Sequence, residues 1–208
     1  CIRDSRYSDF MMPLEGIRVL DLSRILAGPH AAQSLSDLGA DVIKVEAPWG
    51  DDSRTWGPPF QQGFDGGEVA SYFLSCNRGK RIVFANLKNE RERVRSLMDT
   101  VDVVIENFKP GAFDRLLGPV KPDLIVCSIS GYGQEGPRRD EPAFDLTMQA
   151  RSGIMSVTGE EDGPPAKVGV AWIDVMTGMN AVSSILACLL RRNRGCLLYT
   201  SPSPRDSC

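Results

Sequence analysis

Short runs of β-branched and other apolar residues recur along the chain, and between them the apolar positions switch to helical spacing. Residues 17–20 (IRVL) and 42–45 (VIKV) read as strands, and residues 30–38 between them carry apolar side chains three and four apart, so the segment predicts strand, helix, strand. Residues 81–84 predict another strand. Residues 89–100 predict a charged amphipathic helix with Val94, Leu97 and Met98 on its apolar side, and residues 103–106 and 124–128 two strands of the continuous apolar kind that parallel sheets bury on both faces. Residues 48–67, rich in Gly and Pro, predict a long loop, and residues 164–170 an extended segment. Residues 174–192 predict a long helix with apolar Val175, Met176, Met179, Val182 and Ile185; Arg191, Arg192 and Arg194 at its end suit the negative pole of the helix dipole. This alternation predicts an α/β domain, a Rossmann-like, mostly parallel sheet with helices on both faces, without internal repeats.

Composition narrows the class. The chain has 208 residues, 42% of them hydrophobic, enough for one substantial domain around one sheet. Its net charge of −3 and lack of a basic stripe argue against a nucleic-acid partner. No membrane partner is expected either: the longest apolar helix candidate, residues 182–190, is far short of the roughly 20 residues that span a bilayer, and no signal peptide is predicted. Of the six cysteines, Cys76, Cys127 and Cys188 lie far apart in the body of the chain, an odd number that fits a reducing, cytoplasmic setting. No C-x-x-C pair predicts a metal site.

The ends read differently. One back-translation of residues 196–206, CLLYTSPSPRD, matches the transposon adapter used in sequencing libraries, and the reverse complement of the start of that adapter encodes Cys-Ile-Arg-Asp, the first four residues. Residues 1–5 and 196–208 are therefore expected to be adapter-derived, leaving residues 6–195 as the biological segment.

Chemistry concentrates in residues 130–153, SGYGQEGPRRDEPAFDLTMQARSG. Asp145 stands between Phe144 and Leu146, just past a glycine-rich turn. A lone acid in an apolar setting at a helix start is a candidate nucleophile, and equally a candidate N-cap for the helix beginning near Leu146. Gly131, Tyr132 and Gly133 form a loop that can bring backbone N–H groups near a developing oxyanion, or an ordinary turn after a strand. His30, the single histidine, reads as a helix-start residue rather than a base, Asp21 as structural, and Asp174 as the cap of the long helix.

The same block, together with PLEGIRVLDLSRILAGPHAAQSLSDLGADVIKVEAP (residues 13–48), NRGKR (77–81) and VIENFKPGAFDRL (104–116), resembles the class III CoA-transferases, the family of formyl-CoA:oxalate and carnitine CoA-transferases. GDDSRTWGPPF (50–60) is similar to the succinyl-CoA:glutarate subgroup. The resemblance runs over residues 13–194 and implies the large, coenzyme A-binding domain of a transferase that moves CoA from an acyl-CoA to a small acid, for this subgroup a dicarboxylic one. It implies Asp145 as the covalent nucleophile and no permanently bound cofactor. Coenzyme A contacts are implied at Leu26 and Ala27, at Ala85, Asn86, Leu87 and Lys88, at Asn107, Phe108 and Lys109, and at Arg115. Physically, Lys88, Lys109 and Arg115 can neutralise phosphates and Phe108 offers a stacking face. The chain departs from the family at Ala47, where an arginine can stand, which removes one phosphate contact.

Family members are intertwined homodimers completed by sequence beyond the long helix, so the chain as written is expected to be an N-terminal, inactive fragment. Three other readings compete. α-Methylacyl-CoA racemases resemble the same motifs but carry a histidine where this chain has Phe144; a dinucleotide oxidoreductase would need a G-x-G-x-x-G turn where this chain has LAGPHA. The third is a CoA-binding module without activity.

Overall fold

The computed structural model describes residues 12–63 and 66–194. The two stretches read as adapter-derived lie outside the described residues. The elements run β1 (Arg18–Asp21), α1 (Ala27–Asp37), β2 (Asp41–Glu46), β3 (Phe60–Gln62), β4 (Glu68–Ala70), α2 (Ser71–Ser75), β5 (Arg81–Phe84), α3 (Arg91–Met98), β6 (Val103–Glu106), α4 (Ala112–Leu117), β7 (Ile125–Ser128), α5 (Asp145–Arg151) and α6 (Trp172–Asn193). The predicted α/β architecture is the observed one: a five-stranded parallel sheet in the order β5-β2-β1-β6-β7.

Alternation along the strands builds both layers of core. Val19, Val42, Val103 and Ile105 point to one face, where they pack with Ala31 and Leu35 of α1 and Ala181, Ile185 and Leu189 of α6. Their neighbours Leu20, Ile43, Val45 and Val104 point to the other, against Val94 and Met98 of α3 and Phe113 and Leu117 of α4. Burying each such side chain fully contributes about 1.5–3 kcal/mol, so the central strands β1, β2 and β6 are held from two sides.

Two expectations need correction. Residues 48–67 are not a structureless loop: Asp52–Thr55 form a 3-10 turn in which the Asp51 carboxylate caps the Ser53 N–H, and β3 and β4 pair as a small antiparallel ribbon. The apolar helix is also longer than expected. α6 has 22 residues and is long and apolar enough, by length and composition, to cross a bilayer. Part of its apolar surface is core, since Ala181, Ile185 and Leu189 lie buried in the layer shared with α1.

Gly178 decides where α6 crosses. A Cβ at this position would come within 2.8 Å of the Ala27 carbonyl and of His30 Nδ1, so only glycine lets the helix approach the first turn of α1 so closely.

Candidate active site

In an open parallel sheet a crevice forms at the carboxyl ends of the strands where successive connections leave in opposite directions. β1 lies between β2 and β6, so the crevice opens at its end. The residues implied in coenzyme A binding lie along this rim. Leu26 and Ala27 are the N-cap and first residue of α1. Ala85, Asn86, Leu87 and Lys88 follow β5, Asn107, Phe108 and Lys109 follow β6, and Arg115 lies in α4. β5 and β6 stand three strand positions apart, roughly 14 Å at the usual strand spacing, so the two clusters can meet distant parts of one extended ligand. Lys88, Lys109 and Arg115 are exposed and form no ion pair with any described residue. Phe108 is half-buried against the α3/α4 side of the core. The Asn107 amide is already engaged: its Oδ1 accepts Arg24 N–H at 3.0 Å and its Nδ2 donates to Arg24 O at 2.9 Å.

Asp145 heads α5, but its carboxylate serves another helix. One oxygen accepts the N–H groups of Ile173 (2.7 Å) and Asp174 (3.2 Å), and the other accepts the side-chain amide of Gln149 at 2.6 Å. Buried Gln149 extends the tie, accepting Val168 N–H at 2.8 Å and donating to Val170 O at 3.1 Å. Asp145 thus caps α6 from outside its own segment, satisfying two of the orphan donors at that helix end. The expected cap, Asp174, is the third residue of α6 and caps nothing.

Asp174 has the features of a reactive carboxylate. It is half-buried, and it accepts no hydrogen bond from the described residues. Burial, reinforced by the negative charge of Asp145, pushes its carboxyl up to about 6. Four residues before Gly178, it lies on the face of α6 that meets the start of α1. Tyr72 belongs to the same region: burial first, then the charge of Asp174, raises its hydroxyl to about 12. His30 Nδ1 is buried there with no hydrogen-bond partner. A perturbed acid in the same region as a buried, unsatisfied nitrogen makes this part of the fold a candidate functional site. Asp174, Tyr72 and Gln149 were not singled out as site residues from sequence. Asp174 carried the same signal as Asp145, an acid flanked by apolar residues at a helix start.

The loop after β7 closes the other side. A Cβ on Gly131 would lie 1.9 Å from that of Ala143, which places the loop two residues from Asp145. Gly133 has φ +81°, a conformation suited to glycine. The Tyr132 hydroxyl accepts from Arg151 at 2.6 Å, while the backbone N–H groups of Gly131, Tyr132 and Gly133 bond to no described residue. Between this loop and α6 runs a cleft of about 230 Å³ lined by Ser128, Ser130, Gly133, Thr177, Asn180 and Ser184.

The family model of CoA-transferase family III matches residues 14–197. The chain belongs to CoA-transferase family III. It is 50% identical over 192 residues to a succinate–glutarate CoA-transferase of Agrobacterium fabrum, covering 88% of this chain and 48% of that protein. It is 46% identical over 195 residues to the succinyl-CoA:glutarate CoA-transferase of Mus musculus, covering 89% and 44%. The crystal structure of a CAIB/BAIF family protein from Brucella suis superposes with a TM-score of 0.85 at 49% identity, covering 88% of this chain and 50% of that one. These names agree with the subgroup resemblance carried by GDDSRTWGPPF. The chain spans about half the length of the curated relatives it matches.

Proposed function

We propose that the protein carrying this chain moves coenzyme A from an acyl-CoA to a carboxylic acid through a covalent aspartyl intermediate. The observation that carries the reading is Asp174: a half-buried carboxylate without hydrogen-bond donors, raised to about 6, on the helix face that meets the start of α1. A poorly solvated carboxylate is a better nucleophile than a hydrogen-bonded one, and the Asp145 oxygens are occupied by α6 N–H groups and Gln149. This favours Asp174 as the attacking group, with Asp145 holding it in place.

In the reaction a carboxylate oxygen attacks the thioester carbonyl, the carbon–sulfur bond breaks, and CoA thiolate leaves a mixed anhydride. The thiolate then attacks the aspartyl carbonyl, releasing the first acid and forming an aspartyl thioester. The acceptor carboxylate attacks that carbonyl, and thiolate returns to the new acyl carbonyl, regenerating the free aspartate. The unengaged N–H groups at Gly131, Tyr132 and Gly133 support a role in stabilising the oxyanion. Exposed Lys88, Lys109 and Arg115 support phosphate binding along the rim, and the glutarate transferases among the relatives support a dicarboxylic acid as one substrate. Phe144, Leu146, Val157 and Val170 are exposed, Val157 to 83%, which supports a covering partner and the homodimer that the resemblance implies. Free thiols at Cys76, Cys127 and Cys188 support a cytoplasmic location.

Incubating the full-length transferase with succinyl-CoA and then hydroxylamine should leave a hydroxamate on the peptide containing Asp174. Mass spectrometry reads the outcome: a modification at Asp145 would reassign the nucleophile, and no donor-dependent change at either residue would favour proton abstraction of the racemase kind. The pH profile gives an independent check. Because the attacking carboxyl must be ionised, kcat/KM should fall as pH drops through about 6. Asp145→Asn should shift that limb to lower pH without bringing it to the ordinary carboxylate range, since burial is the larger cause of the shift. An acid limb that stays in place in this variant would separate Asp174 from the rate profile.

A further inference from the structure

The turn from β1 into α1 is held in an unusual way. Ile25 has φ +73°, the one non-glycine residue at positive φ among the described residues, and for a β-branched side chain this conformation is strained. Side chains from five separate places hold the backbone on both sides of it. Ser23 N–H donates to Asp21 Oδ1 at 3.0 Å, and Ser23 O accepts Lys44 Nζ at 2.8 Å. Asn107 grips both polar groups of Arg24. Ile25 N–H points between the two oxygens of Asp51 at 3.4 Å, and Ile25 O receives the Cys76 thiol at 3.6 Å. All six backbone polar groups of three consecutive residues are thus engaged by side chains rather than by a ladder or by α1, and the next residues are Leu26 and Ala27.

We infer that Asn107, Asp51 and Lys44 are positioning residues that hold the strained Ser23–Arg24–Ile25 turn so that the start of α1 is preformed to receive coenzyme A. The inference rests on the reading of this rim as the coenzyme A site. It assigns Asn107 a role other than direct side-chain contact with the ligand, because both ends of its amide are bonded to Arg24. Of the three, Asn107 is the informative one to change: it is half-buried at the rim, whereas Lys44 and Asp51 are core charges.

Coenzyme A binding to the full-length transferase, measured by calorimetry, tests this. Asn107→Ala should weaken binding by about tenfold as the released turn relaxes away from its strained conformation, raising KM for acyl-CoA much more than it lowers kcat. Asn107→Asp keeps the acceptor for Arg24 N–H but loses the donor to Arg24 O, and should fall between the two. Ile25→Gly, which removes the strain, should rescue Asn107→Ala to within about threefold of the unmodified protein. A double variant that binds no better than Asn107→Ala, or an Asn107→Ala protein that binds normally, overturns the inference. An unmodified protein that does not bind coenzyme A overturns both the inference and the site on which it rests.

Discussion

Asp174→Ala in the full-length transferase is expected to lower CoA transfer by at least ~10³-fold while leaving coenzyme A binding nearly intact, because the carboxylate would make the covalent bond but contribute little to holding the nucleotide. Asp145→Asn should cost far less, about tenfold, because an amide oxygen can still accept Ile173 N–H and hold the start of α6. Steady-state rates with succinyl-CoA and glutarate check both. The inverse ranking, with Asp145→Asn the more damaging, would return the nucleophile to Asp145.

The second large effect concerns stability. Lys80, from the NRGKR block, has a fully buried side chain and directs its ammonium to Asp21 Oδ2 (2.8 Å), Asn77 Oδ1 (2.8 Å) and Pro29 O (2.9 Å). Asp21 also faces Lys44 at 3.9 Å and accepts the Ser23 hydroxyl, and Lys44 pairs with Asp51 at 3.1 Å. Lys80→Met would leave Asp21 underpaired in the core and should destabilise the fold by about 3–5 kcal/mol, far more than loss of an exposed pair such as Arg78 with Asp37. Denaturant unfolding of the two variants side by side measures this, and equal losses would refute it. The pH dependence has a definite sign. Burial pushes the Asp21 carboxyl up, but the Lys80 and Lys44 charges and hydrogen bonds from Lys80 and Ser23 outweigh it and hold it below the usual carboxylate range. Its stabilisation is therefore present above the ordinary carboxylate value and lost as pH falls through the lowered one.

The strand positions were legible because strands are short apolar, β-branched runs: residues 103–106 match β6, which is buried on both faces, and residues 81–84 match β5, an edge strand, residue for residue. The long loop was misread because its turn depends on the side chain of Asp51 and its ribbon on pairing between β3 and β4, neither of which leaves an apolar period.

The sequence by itself determined the alternation of strands and helices, hence a parallel sheet with two covered faces, and, through four motif blocks, the family. The candidate coenzyme A contacts came from the family resemblance rather than from the pattern; that most of them follow a β-strand puts them at the carboxyl edge of the sheet. Only the tertiary structure decided which carboxylate is free. Asp145 and Asp174 look alike along the chain, each an acid flanked by apolar residues at the head of a helix. Packing of α5 against α6 brings the two together; the orphan N–H groups of Ile173 and Asp174 then occupy one oxygen of Asp145, Gln149 occupies the other, and the Asp174 carboxylate is left without donors. A hydrogen bond between segments distant in sequence has no local signature, so the distinction exists only once the helices are in contact.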